Sequence, residues 1–165
     1  MNLNVLPMRR RADKILELLH HRFNTILKPA MKETGIDMWI VVCQEDNPDP
    51  VYSTMIPMDT WSPILQILVF CDPGGESAIE RLNISGTNTR DLFERPYSGQ
   101  IPEEQWPILA GIVADRNPQR IGINNGAIQW AAGGLTQNLY KQLCKHLPAG
   151  YTDRFVTAEP LATSW

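Results

Sequence analysis

The run Gly35-Ile36-Asp37-Met38-Trp39-Ile40-Val41-Val42-Cys43 constrains the fold of this chain more than any other stretch. Asp37 alone interrupts its apolar character, β-branched residues crowd its second half, and a glycine opens it. A short continuous apolar run behind a glycine reads as a strand buried on both faces. Such a strand must be covered on each side, so the chain is expected to build an α/β sheet. Ile64–Cys71 is a second strand of the same kind. Between the two lies a polar, turn-rich segment, Gln44-Glu45-Asp46-Asn47-Pro48-Asp49-Pro50, followed by an irregular loop over 55–63 that carries Met58, Asp59 and Trp61. The loop is where specificity is expected.

The remaining elements follow from periodicity and punctuation. Ile15, Leu18, Leu19, Phe23, Ile26, Leu27 and Met31 fall at helical spacing from Arg11 onward. Pro29 has no amide to donate, which predicts a kink or end near 25–28, with one further turn to Thr34 capped by Gly35. Residues 51–54 read as a short strand, 78–85 as a third long strand, and 120–124 and 155–157 as short ones. Pro102, Glu103 and Glu104 open a helix with its acids in the first turn. Thr136 caps another that carries Leu139, Leu143 and Leu147, stopped by Pro148 and Gly150. Residues 125–134 read as a glycine- and alanine-rich loop holding Trp130.

Composition excludes several classes of function. With 165 residues the chain is expected to make one domain, over 1–157, with 158–165 as the start of a linker. Fifteen basic against eighteen acidic residues give a net charge of −3, which offers nucleic acid no electrostatic footprint. Arg9, Arg10 and Arg11 read as the solvated start of a helix. No apolar run approaches the roughly 18 residues of a membrane span. Three distant cysteines, Cys43, Cys71 and Cys144, suggest buried thiols in a reducing, cytoplasmic setting rather than a disulfide scaffold. Asn83-Ile84-Ser85 fits a glycosylation sequon but falls in an expected strand.

Catalytic signatures are sparse. His20, His21 and His146 all sit on expected helices, and adjacent histidines diverge by about 100°. No nucleophile elbow, Cys-x-x-Cys, His-Glu-x-x-His or dinucleotide fingerprint occurs. Glu45, Asp46, Asp49 and Asp59 bracket one loop and have the chemistry to hold a hard cation, although acidic turns are ordinarily just solvated. Trp61 and Trp130 stand off any periodic face. A loop aromatic either anchors a ligand or partner or covers the edge of the core.

The order of motifs carries one further clue. The arginine-bearing amphipathic helix, then Gly-Ile-Asp-Met-Trp-Ile-Val-Val, then Pro50-Val51-Tyr52-Ser53-Thr54, resembles the N-terminal domain of the creatinase/prolidase/aminopeptidase P family. Arg120-Ile121-Gly122-Ile123-Asn124 and Gly134-Leu135-Thr136 leading into Tyr140, Leu143 and Leu147 continue the pattern over nearly the whole chain. The resemblance implies a mixed β-sheet of about six strands flanked by helices, in a ribonuclease-H-like layout. It also implies a non-catalytic domain that shapes substrate access and dimerisation for a separate metallopeptidase domain. That domain would bind two divalent ions of manganese type through two Asp, one His and two Glu, and cleave Xaa-Pro peptides. None of those ligands has a counterpart in this sequence, so no catalytic, cofactor or metal residue is expected here. The partners implied are the chain's own catalytic domain, a second copy in a homodimer, and proline-containing peptides. The family's substrate-access loop corresponds to 55–61, making Trp61, Tyr52, Asp49 and Met58 the candidate residues. The sequence has Tyr52-Ser53-Thr54-Met55 where prolidases have Asn-x-x-Tyr-Leu-Thr-Gly, which leaves the subtype open. The alternative is a free-standing binding module of the same fold, holding a small molecule or protein.

Overall fold

A computed structural model describes residues 5–61 and 64–165. The last two residues of the expected 55–63 loop lie outside that range. Two helices lead the chain, α1 (Met8–Thr25) and α2 (Leu27–Thr34), broken at Ile26. The break sits where Pro29 withholds the amide that would have bonded four residues back. Gly35 adopts φ +66° and closes α2, while the Ile36 N–H returns to the Met31 carbonyl at 3.1 Å. This left-handed cap is the conformation glycine tolerates without strain, and it aims the chain directly into the first strand.

Among the described residues the strands β1 (Met38–Gln44), β2 (Leu65–Cys71), β3 (Glu80–Ile84), β4 (Glu94–Tyr97), β5 (Ile121–Ile123) and β6 (Phe155–Thr157) form one mixed sheet. Its order is β4-β3-β2-β1-β5-β6. β1–β2 and β2–β3 pair antiparallel, whereas β1–β5, β5–β6 and β3–β4 pair parallel. The protein is therefore α/β with six strands, as expected. Helices α3 (Pro102–Arg116), α4 (Gln129–Ala132), α5 (Gln137–His146) and α6 (Glu159–Ser164) complete it.

Strand side chains alternate between faces, and the two covering layers follow. Trp39, Val41, Cys43, Leu68 and Phe70 meet Leu19, Phe23, Leu27 and Met31 of the N-terminal helices. Met38, Ile40, Val42, Ile67 and Val69 meet Trp106, Leu109 and Val113 of α3 and Leu139 and Leu143 of α5. The Thr136 hydroxyl accepts the Leu139 N–H at 3.3 Å, the cap anticipated for α5.

Three expectations are corrected. Residues 51–54 are no strand: Tyr52–Thr54 is a single 3-10 turn. The Asp49 carboxylate accepts the Val51 and Tyr52 N–H groups at 2.8 and 3.3 Å, and this local side-chain bonding outcompetes strand pairing. The sixth strand is instead β4, which contains Pro96 and sits at the sheet edge, where a missing donor costs least. Residues 158–165, expected as linker, form α6 and pack inward, with Ala158, Leu161, Ala162 and Trp165 buried. Trp165 lies 4.8 Å from the Phe23 ring, and the Arg22 guanidinium stacks over the indole at 4.0 Å. No helix among the described residues is long and apolar enough to cross a membrane.

Candidate functional site

The carboxyl ends of β1, β3 and β5 point the same way, because β1 and β5 are parallel and β3 reverses twice relative to β1. The loops that follow them gather at one end of the sheet, the usual position for ligand sites in α/β folds. The longest of these loops joins β1 to β2.

Its candidate residues separate into two sets. Asp49 and Tyr52 are buried, at 0% and 1% exposure, and Met58 and Trp61 are exposed, at 40% and 62%. Asp49 is an anchor. Besides the Val51 and Tyr52 amides, its carboxylate accepts Asn124 Nδ2–H at 3.0 Å and the Gly134 N–H. The Asn124 side-chain oxygen in turn accepts Trp39 Nε1–H at 2.8 Å. Three loops and the central strand thus meet at one carboxyl group. Burial pushes the Asp49 pKa up, and its hydrogen bonds from Asn124, Val51, Tyr52 and Gly134 oppose that rise. Gly134 has to be glycine, since a Cβ there would stand 2.6 Å from the Asp49 Cα.

Tyr52 belongs to a second buried web. Its hydroxyl donates to Gln66 Oε1 at 2.7 Å, and Thr87 donates to the same oxygen. Ser85 Oγ donates to Asn83 Oδ1 at 2.6 Å, and Asn83 Nδ2 donates to the Thr87 carbonyl at 2.8 Å. Asn83 has no exposed surface. The sequon is therefore a structural asparagine, since a glycan acceptor must be reachable. These polar residues form a floor beneath the exposed loop and fix the turn after β3 against the start of β2. A lone Gln66 inside an otherwise apolar strand is the sequence signal that would have revealed this floor.

Two clefts open on either side of Trp61. One, of about 330 Å³, has Glu45, Asp46, Tyr52, Ile56 and Trp61 among its walls. The other, of about 410 Å³, is formed by Asp59, Thr60, Trp61, Gly86, Asn88 and Arg90. Thr60 Oγ1 donates to the Asn88 carbonyl at 3.2 Å, which ties the Trp61 loop to the loop after β3. Sequence reasoning missed Arg90, whose guanidinium reaches Asp59 Oδ2 at 2.5 Å.

Other candidates are placed elsewhere or differently. Trp130 is 70% exposed on the short α4. The four loop carboxylates do not converge: Asp49 turns inward and Asp59 pairs with Arg90. Among the described residues no three His, Cys, Asp or Glu side chains gather as a metal-ligand set. His20 of α1 pairs with Asp91, the residue after Arg90, at 3.3 Å. Burial pushes the Cys43 and Cys71 thiols up to about 12, which leaves them protonated and unreactive.

Comparison with known proteins adds one likeness. No family model matches the chain, and no curated protein matches it. Among solved structures, an Xaa-Pro dipeptidase from Bacillus anthracis is similar over 91% of this chain, at 14% identity and a TM-score of 0.47. The chain spans 34% of that protein's length, so it corresponds to a minor part of it. A likeness at this level assigns no activity to the chain.

Proposed function

We propose that this chain is a non-catalytic accessory domain of an Xaa-Pro metallopeptidase of aminopeptidase P or prolidase type. Its 55–61 loop walls a peptide pocket completed by a catalytic domain, and the assembled protein is a homodimer. The observation that carries this reading is Trp61: a large aromatic, 62% exposed, on a loop whose root is pinned to the core through Asp49 and Tyr52. A rigid apolar wall is what a peptide pocket needs. The order of sequence motifs supplies the peptidase assignment. The catalytic ions would be held by the other domain; among the described residues of this chain no three His, Cys, Asp or Glu side chains gather as a ligand set.

A second reading, a free-standing binding module, is favoured by the two clefts beside Trp61, whose walls come entirely from this chain.

Hydrolysis of alanyl-proline in the presence of manganese tests the proposal. The 165-residue chain is expected to be inactive. The protein extended past Trp165 is expected to be active, and Trp61→Ala in it to lower kcat/KM by about tenfold, a contact worth roughly 1.4 kcal/mol. Trp61→Ala should leave stability within about 0.5 kcal/mol, as for other exposed sites. Turnover by the chain alone, or an unchanged kcat/KM in the variant, would count against the assignment.

A further inference from the structure

We propose that Arg90 is the carboxylate-binding residue of a site for the free carboxyl end of a short peptide, formed across the cleft between Arg90 and Trp61. The inference rests on the reading that Trp61 faces a ligand, and it needs no catalytic domain.

Arg90 is held in place by its backbone. It adopts φ +55°, a conformation uncommon for a side chain other than glycine. Its N–H donates to Asn88 Oδ1 at 3.0 Å, and Thr89 before it and Leu92 two residues after it are fully buried. The guanidinium therefore projects from a turn locked on both sides. Backbone strain of this kind persists where the surroundings over-determine it.

The guanidinium has donors to spare. It carries five N–H groups, and among the described residues it meets one partner, a single Asp59 oxygen. The side chains of the pair are 41% and 52% exposed, so this ion pair is wet and contributes little. An incoming carboxylate can take the free edge of the fork in two parallel bonds, a geometry stronger than the one present.

The rest of the cleft selects among anions. Asp59 beside Arg90 leaves the pair near neutrality, which disfavours a doubly charged phosphate and suits a monoanion. Trp61 supplies the apolar face against which the terminal residue's side chain packs. On the other side of Trp61 the neighbouring cleft carries Glu45 and Asp46, with no basic side chain among the described residues of its walls. This polarity orients the ligand, its ammonium end toward the acidic cleft and its carboxylate on Arg90.

NMR titration of the isotope-labelled 165-residue chain tests the site. The readout is the Trp61 indole N–H, assigned by Trp61→Phe, and the probes are alanyl-proline, alanyl-prolinamide and inorganic phosphate. Saturable shifts with alanyl-proline are expected, with about tenfold weaker binding of the amide. Arg90→Gln should lose a similar factor for the acid and nothing for the amide. Asp59→Asn, which removes the competing carboxylate, should tighten the acid severalfold, a gain that a merely structural role would not produce. Equal binding of acid and amide by the unaltered chain overturns the proposal, as does the absence of a saturable shift. Phosphate binding as tightly as the dipeptide overturns the choice of a peptide end. None of these outcomes bears on whether the chain serves a separate catalytic domain, which hydrolysis reads separately.

Discussion

Asp49→Ala is expected to cost roughly 4 kcal/mol of folding stability, because it orphans buried donors on three loops at about 1–3 kcal/mol each, with water entry recovering part. The amides of Val51, Tyr52 and Gly134 and the Asn124 side chain all lose their acceptor. Asn124 then loses its fixed orientation toward Trp39, and the Trp61 loop loses its root. The effect has a defined pH dependence. Burial holds the Asp49 carboxyl above its ordinary 3.8 in the folded chain. The folded state then binds the proton more tightly than the unfolded one. Asp49's contribution is complete below that ordinary value and declines as pH rises through the folded pKa. The gap between wild type and Asp49→Ala, measured by urea unfolding, should be wider at or below the ordinary carboxylate value than at neutral pH. A loss under about 1 kcal/mol, the size of an ordinary exposed change, would show that the anchor is dispensable.

Phe70→Ala is the second large effect, expected at about 4 kcal/mol, in the usual range for deleting a buried aromatic ring. Phe70 has no exposed surface and lies at the centre of an aromatic group, 5.9 Å from Phe23, 5.5 Å from Trp39 and 5.7 Å from Phe93. Its removal opens a cavity between the sheet and the N-terminal helices that rigid neighbours cannot fill. Phe155→Ala, on the edge strand and half-buried, should cost less than half as much by the same thermal or urea melt. Comparable losses at both positions would mean that the core is not centred where the packing places it.

What the sequence made legible was whatever depends on local pattern. The apolar run at Met38–Cys43 reads as a central strand, and Gly35 marked its entrance with the residue that fits a left-handed cap at least strain. Thr136 with Leu139 and Leu143 announced α5 for the same reason. The features that escaped depend on partners distant in the chain. Asp49 looks like Asp46 in sequence, a carboxylate in a polar turn. Only Asn124, 75 residues away, makes one of them an anchor. Pro96 withholds a ladder donor, and only the sheet order shows that its strand lies at the edge, where that loss is tolerated. The tail offered only short, mixed residues, yet Leu161 and Trp165 complete the layer over Phe23. Arg90 lies 31 residues from Asp59 and becomes a site residue only because the β3 and β1 loops share one end of the sheet. Within the candidate site, the loop pattern left open whether Trp61 anchors a ligand or covers the core, and the structure exposes it together with Met58. Tyr52 and Asp49 turned out to hold that loop from below.

This domain is proposed to serve a separate catalytic domain. Reading the source gene in frame past Trp165 tests it most directly. About 220–250 further residues are expected, the size of one more domain, carrying two Asp, one His and two Glu in the order of a dinuclear peptidase. A stop codon directly after Trp165 would contradict it and leave the clefts around Trp61 as the chain's whole function.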